Sequence, residues 1–253
     1  MIFLKTDDEI ELLRQSNLLV GKTLAEVAKL IKPGVTTLEL DKVAEEFIRD
    51  NGAIPTFKGY PSPYGGSFPG TLCTSVNSQV VHGIPNNIPL QDGDIVSVDC
   101  GTLLNGFCGD SAYTFCVGEV KPEIRKLLKV TKESLYLGIQ NAVHGKRLGD
   151  IGYTIQTHCE SNSYGVVREF VGHGIGKEMH EDPHVPNYGK RGFGTMLKKG
   201  MCLAIEPMIT MGARQIVMEN DGWTVRTKDR SIAAHFEHTI VVRDDGYEIL
   251  TGE

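Results

Sequence analysis

The chain has 253 residues, enough for one large domain or two small ones, and its 40% hydrophobic and 23% charged residues are an ordinary globular balance. A net charge of −6 gives no support to general nucleic-acid binding. No apolar run approaches the ~18 residues of a membrane span. The 29 glycines suit a turn-rich α+β protein. The six cysteines form no Cys-x-x-Cys pair, so neither a zinc ribbon nor a disulfide framework is indicated. Met1-Ile2-Phe3-Leu4 is too short for a signal segment, and charges follow at once. The expectation is a cytosolic protein with reduced thiols.

Thr6 and Glu9 form a capping box, and Ile10, Leu13, Val20, Leu24, Val27 and Ile31 share one face, which predicts a helix over 6–31 ended by Pro33-Gly34. Thr36 with Glu39 opens a second helix that stops at Asn51-Gly52. Residues 58–70 read as loop, broken by Pro61, Pro63, Gly65, Gly66, Pro69 and Gly70. Short strands are expected at 72–76 and 79–82. Pro122 starts a third helix running to about Val143, and a fourth covers about 149–162. A strand at 166–171 leads into Gly172-His173-Gly174-Ile175-Gly176. The remainder reads as strands at 201–206, 215–218, 223–227, 233–242 and 247–250. Residues 32–48 and 143–159 align as an internal repeat: Gly34 meets Gly145, Leu40 meets Ile151, and Ala44 meets Ile155.

Residues 95–115 read as a β-hairpin turning at Leu104-Asn105-Gly106. It carries Asp99 and Asp110 inside its strands, where Asp is disfavoured. A turn centred between Leu104 and Asn105 would set the two directly opposite, with Cβ atoms roughly 4.5–5.5 Å apart. Two carboxylates that close persist if one is protonated or a cation lies between them. Further on, His173 lies between glycines, Glu206 follows the apolar run Met201–Ile205, and Glu237 sits inside 233–242. Buried carboxylates need partners, and few cations are near in sequence. Two Asp, two Glu and one His suit Mn²⁺, Fe²⁺ or Co²⁺, with Zn²⁺ possible, and four carboxylates balance two divalent ions. His144, His158, His184, His235 and His238 read as surface or core residues.

The ordered set Val81-His82-Gly83-Ile84-Pro85, Val98-Asp99-Cys100-Gly101, Gly106–Asp110, Gly172–Gly176, His180-Glu181-Asp182-Pro183, Ile205-Glu206-Pro207-Met208 and Phe236-Glu237-His238-Thr239 resembles the type I methionine aminopeptidases of bacterial character. The resemblance implies an α+β pita-bread fold: two pseudo-symmetric halves, roughly 1–120 and 121–253 of a single catalytic domain, with a curved antiparallel sheet covered by helices. It implies two divalent ions, with Asp110 and Glu237 bridging, Asp99 completing one site, and His173 and Glu206 the other. It makes Glu206, His180 and His82 the catalytic set, with His82 and His180 also touching substrate. Phe57, Tyr60, Cys73 and Trp223 fall where the family lines its methionine pocket.

The implied reaction removes the initiator methionine from nascent polypeptides with a small, uncharged second residue. The implied setting is a cytoplasmic monomer that meets the ribosome transiently, without specific nucleic-acid or membrane binding. Met179 stands where relatives often have Phe, Phe170 replaces a frequent Tyr, and the 61–70 loop is longer than in shorter members. From its neighbour His180, the Met179 side chain is expected to reach the rim of the pocket. Neither an N-terminal zinc-finger extension nor the type II insert is expected. Two other readings compete. An X-Pro peptidase of the same fold would usually carry an extra N-terminal domain. A metal-free binding module would have lost ligands that are all present here.

Overall fold

Thr6 and Thr36 open the first two helices by one device. Each hydroxyl accepts the N–H three residues on, and Glu9 or Glu39 accepts the threonine N–H in return. Each such cap contributes about 1 kcal/mol. The structure is a computed structural model and describes residues 1–62 and 66–252; Pro63 and Gly65, two of the expected loop breakers, lie outside them. Helix α1 (Asp7–Ala28) stops a turn earlier than expected, and α2 (Thr37–Asp50) ends before Gly52. The first strands are β1 (Ile54–Pro55), β2 (Leu72–Val76), β3 (Gln79–Val81), β4 (Ile95–Leu104) and β5 (Phe107–Cys116). Helices α3 (Pro122–Ile139) and α4 (Leu148–Ser161) follow. The chain continues through β6 (Gly165–Val166), β7 (Gly172–Gly174), β8 (Glu181–Val185), β9 (Cys202–Ile205) and β10 (Met208–Thr210). It closes with β11 (Ile216–Met218), β12 (Val225–Thr227), β13 (Ala233–His235), β14 (His238–Arg243) and β15 (Gly246–Ile249).

All strand pairs are antiparallel. One sheet sets β4 between β5 and both β1 and β2; a second runs β15-β14-β9-β7-β8. Smaller sheets run β13-β10-β6 and β11-β12-β3. The helices α1 and α2 bury Val20, Leu24, Leu40 and Ile48 against Leu72, Val96 and Val98. The helices α3 and α4 bury Leu135, Ile139, Ile151 and Ile155 against Leu203, Ile205 and Ile240. Each such side chain contributes roughly 1.5–3 kcal/mol. The aligned positions behave alike: Leu40, Ala44, Ile151 and Ile155 are all fully buried. The result is the expected α+β pita-bread architecture, with helices on one side of a strand-built interior.

The two large sheets meet where β5 lies beside the start of β14. Glu237 N–H donates to the Ala112 carbonyl at 2.9 Å, Ser111 Oγ donates to the Glu237 carbonyl at 2.7 Å, and Thr239 Oγ1 donates to the Asp110 carbonyl at 2.9 Å. Two expected strands differ for reasons tied to this seam. The run 233–242 breaks at Phe236-Glu237, so β13 pairs with β10 while β14 pairs with β9 and β15. The strand expected at 166–171 is only Gly165–Val166, because the chain leaves the ladder and brings Glu169, Phe170 and Val171 to the wall of a cavity.

Candidate metal centre

Hairpin geometry decides where the two aspartates point. Asn105 and Gly106 have φ of 52° and 79°, so the loop has two residues, both left-handed, as a type I′ turn requires. The register is therefore Leu104↔Phe107, Asp99↔Ala112 and Gly101↔Asp110. This corrects the expected direct opposition: the aspartates are diagonal neighbours on one face, still within side-chain reach. Helix α1 secures this strand from behind, since Asn17 Oδ1 accepts the Asp110 N–H at 3.1 Å. A Cβ on Gly109 would overlap the α1 backbone at Ser16 and Asn17, so only glycine permits that approach.

The other donors arrive from the second large sheet. His173 of β7 pairs with Ala204 of β9, one residue before Ile205 and the Glu206-Pro207 that follow the strand. The His173 Nδ1–H donates to the Gly174 carbonyl at 2.9 Å, which turns Nε2 toward Asp110 Oδ2 at 3.5 Å and Glu206 Oε1 at 3.7 Å. Donor atoms of Asp110, His173 and Glu237 lie within 4.8 Å of one another, and all three residues are buried. Asp99 and Glu206 flank this trio on the same cavity wall.

These groups are electrostatically unfinished. Asp99 Oδ1, Asp110 Oδ1 and Glu237 Oε1 are buried without a hydrogen-bond partner. Burial, then the charges of Asp110 and Glu206, push the Asp99 carboxyl well above its usual range. Glu237 is raised by burial and by the Asp110, Glu206 and Asp99 charges. Asp110 is also raised, by burial with Glu206 adding, against the pull of His173. Burial lowers His173, but its hydrogen bond to Asp110 and the Glu206 charge outweigh it and hold the imidazole above its ordinary value. No lysine or arginine lines the cavity among the described residues. Four carboxylates and one imidazole without a lysine or arginine beside them fit divalent ions, which favour this mixed oxygen and nitrogen set.

The cavity has a volume of about 600 Å³. Beside the donors it is lined by Phe57, Tyr60, Cys73, His82, His180 and Trp223, so every residue that the resemblance assigns to ligation, catalysis or the methionine pocket faces it. His82 has φ 59°, rare for a non-glycine residue. Its ring meets Phe170 edge to face at 5.3 Å. Burial lowers both His82 and His180 to about 4, so both are neutral at physiological pH. Tyr60 Oη lies 2.9 Å from His180 Nδ1. Burial, then the Asp99 charge, raises Cys73 well above its ordinary value, so it stays a thiol.

Three placements differ from the sequence expectations. Met179 does not line the cavity. It is buried among Ile10, Leu13, Phe107 and Ile175, with Phe57 packed on the same cluster, and a Cβ on Gly101 would overlap both Met179 and Phe57. Met179 and His180 lie in the bend that joins β7 to β8, where the His180 ring enters the cavity while Met179 packs into this cluster. His184, read as a surface or core residue, lines the cavity. Phe68 completes the apolar wall and meets Trp223 edge to face at 5.2 Å. It sits in a Pro/Gly-rich loop without periodicity, so no local signal marked it.

Residues 11–244 match metallopeptidase family M24. The methionine aminopeptidase of Clostridium acetobutylicum is 54% identical over 252 residues, covering 99% of each chain, and methionine aminopeptidase 1 of Bacillus subtilis is 50% identical with the same coverage. The crystal structure of methionine aminopeptidase from Thermotoga maritima superposes with a TM-score of 0.96 at 44% identity, covering 100% of each chain. The prolidase of Pyrococcus horikoshii shares the fold alone, with a TM-score of 0.76 at 20% identity over 98% of this chain and 63% of that one. The chain belongs to metallopeptidase family M24 and, within it, to the methionine aminopeptidases.

Proposed function

We propose that this chain removes the N-terminal methionine from polypeptides whose second residue is small and uncharged. The observation that carries the reading is one cavity joining an uncompensated carboxylate–imidazole set to an apolar wall. Two divalent ions would be held by Asp99, Asp110, His173, Glu206 and Glu237, with Asp110 and Glu237 shared; cobalt, manganese or iron(II) suits the donors, and zinc is compatible. Bound there, they would acidify a water near neutral pH and polarise the scissile carbonyl.

The chain's own groups account for the remaining work. Glu206 accepts the proton of the attacking water and returns it to the departing amine. With Tyr60 Oη, 2.9 Å from His180 Nδ1, as the donor, the proton of this neutral ring sits on Nε2, free to hydrogen-bond the developing oxyanion. His82, neutral as well, holds the amide of the second residue. Phe57, Phe68, Cys73 and Trp223 exclude water and pack on the polarizable thioether. His82 and Phe170, in edge contact, narrow the space for the second side chain.

We read residues 1–253 as one catalytic unit, a cytoplasmic monomer acting on nascent chains, with transient ribosome contact. Among the described residues no helix is long and apolar enough to cross a membrane. A Met-X-Ser peptide series on metal-reconstituted protein tests the proposal. Release of methionine is expected for X = Gly, Ala and Ser and not for Leu or Lys. Preferential cleavage of X-Pro peptides would overturn it.

A further inference from the structure

Glu206 is flanked by two imidazoles, one at each oxygen. His173 Nε2 stands 3.7 Å from Oε1, and His235 Nε2 stands 3.4 Å from Oε2. The first ring lines the cavity and the second lies behind it. His235 is 1% exposed, and its Nε2 has no hydrogen-bond partner among the described residues. A buried ring nitrogen left in that state is costly, and native structures rarely tolerate it without a role.

The backbone carrying His235 is clamped. Its N–H donates to Thr114 Oγ1 at 3.0 Å, and its carbonyl accepts from the same hydroxyl at 2.7 Å. That commits the single hydroxyl proton of Thr114, so Ser97 Oγ, 2.8 Å away, must donate to Thr114. In the sheet, His235 pairs with Met208, two residues beyond Glu206. Glu206 is held too, its carbonyl accepting from Asn187 Nδ2 at 3.0 Å. Both backbones are fixed, and the rotation of the Glu206 carboxylate is what remains to be set.

We propose that His235 is a positioning residue for Glu206: its Nε2–H holds Oε2, so that Oε1 faces the ion shared with His173. The inference rests on the reading of Glu206 as a metal ligand. Closing 3.4 Å to the ~2.8 Å of a charge-assisted bond needs only a small ring movement. With one oxygen held, the carboxylate meets the ion in one direction; released, it samples several. Outer-shell partners of this kind orient ligands and typically change metal affinity 10–100-fold.

The test is calorimetric titration of the metal-free protein with Co²⁺, alongside kcat and KM on Met-Ala-Ser, for wild type, His235→Gln and His235→Leu. His235→Leu is expected to weaken one of two Co²⁺ sites about 10–100-fold and lower kcat comparably, with KM within about threefold. His235→Gln keeps an N–H donor and is expected to recover both to within about fivefold. If His235→Leu does not fold, His235→Asn, whose amide falls short of Oε2, replaces it with the same expectation. Wild-type titration by the variant lacking the donor, or a glutamine as poor as leucine, would overturn the proposal. In a Glu206→Gln background, His235→Leu should add less than about twofold; a full further loss would place its action elsewhere. Glu206→Gln binding both ions as tightly as wild type would instead overturn the ligand role of Glu206, whatever His235 does.

Discussion

At the carboxylate end of the cavity the donors sit on or beside strands, and their backbones are tied across the seam between the two large sheets. At the apolar end, Cys73 on β2 aside, the wall is made of loop residues: Phe57, Tyr60 and Phe68 between β1 and β2, and Trp223 before β12. The first end is fixed by ladder hydrogen bonds and by helix α1 at Asp110. The second is fixed by side-chain contacts such as Phe68 on Trp223. Changes at the first should therefore act all-or-none on metal binding and chemistry. Changes at the second should be graded and, Tyr60 aside because its hydroxyl bonds His180, confined to selectivity.

The strongest way to break that contrast is Asp110→Asn, which removes a shared negative donor. Activity and bound metal, read by peptide turnover and elemental analysis, should fall by more than the ~10²-fold that loss of an outer-shell partner costs. Two bound ions with normal turnover would contradict it. His82→Ala comes next. It should retain both ions while kcat/KM falls roughly 10²–10⁴-fold, since the ring acts on substrate and not on metal. Loss of metal in this variant would move His82 into the ligand set.

A pH comparison sharpens the electrostatic side. Asp99, Asp110 and Glu237 are raised by burial first and by neighbouring carboxylates after it. Without ions the folded chain thus holds protons that the unfolded chain has released. Folded-state stability therefore falls as pH rises from the ordinary carboxylate range, about 4, upward through the raised values. Divalent ions replace those protons and remove the penalty. The gain in melting temperature on adding Mn²⁺ to chelator-treated protein should be larger at pH 7.5 than at pH 5.5. An equal or larger gain at pH 5.5 would mean that the carboxylates are not the groups the ions relieve.

The smallest effect on chemistry is expected from Met179→Phe. Met179 packs behind Phe57 and not on the cavity wall. The ratio of kcat/KM for Met-Ala-Ser over norleucine-Ala-Ser should change by less than about threefold, small beside the 10–200-fold that a direct pocket contact commands. Overpacking should instead cost stability, about 1–3 kcal/mol, read by denaturant unfolding. A sharp rise in the selectivity ratio would show that the buried cluster governs the pocket through Phe57.

The same division explains what could be read from the chain. Capping boxes at Thr6 and Thr36, the Asn105-Gly106 turn and misplaced strand carboxylates are local signals, and they located helices, hairpin and donors. The register of that hairpin is not legible from the sequence because it depends on which two residues occupy the left-handed turn, a shift of one position. The break at Phe236-Glu237 is not legible because no glycine or proline marks where the chain changes sheets. Phe68, His184 and His235 reach the site through tertiary contacts alone. His235 in particular looks like any strand residue until Glu206 is placed 3.4 Å from its Nε2.

The central claim is that the unpaired carboxylates of the seam exist to hold divalent ions that the reaction requires. It is tested most directly by titrating chelator-treated protein with Co²⁺ while following binding heat and methionine release from Met-Ala-Ser together. The account predicts no release before addition, uptake of two equivalents, and activity that rises with uptake. Undiminished release from the fully chelated protein, or uptake without any gain in activity, would contradict it.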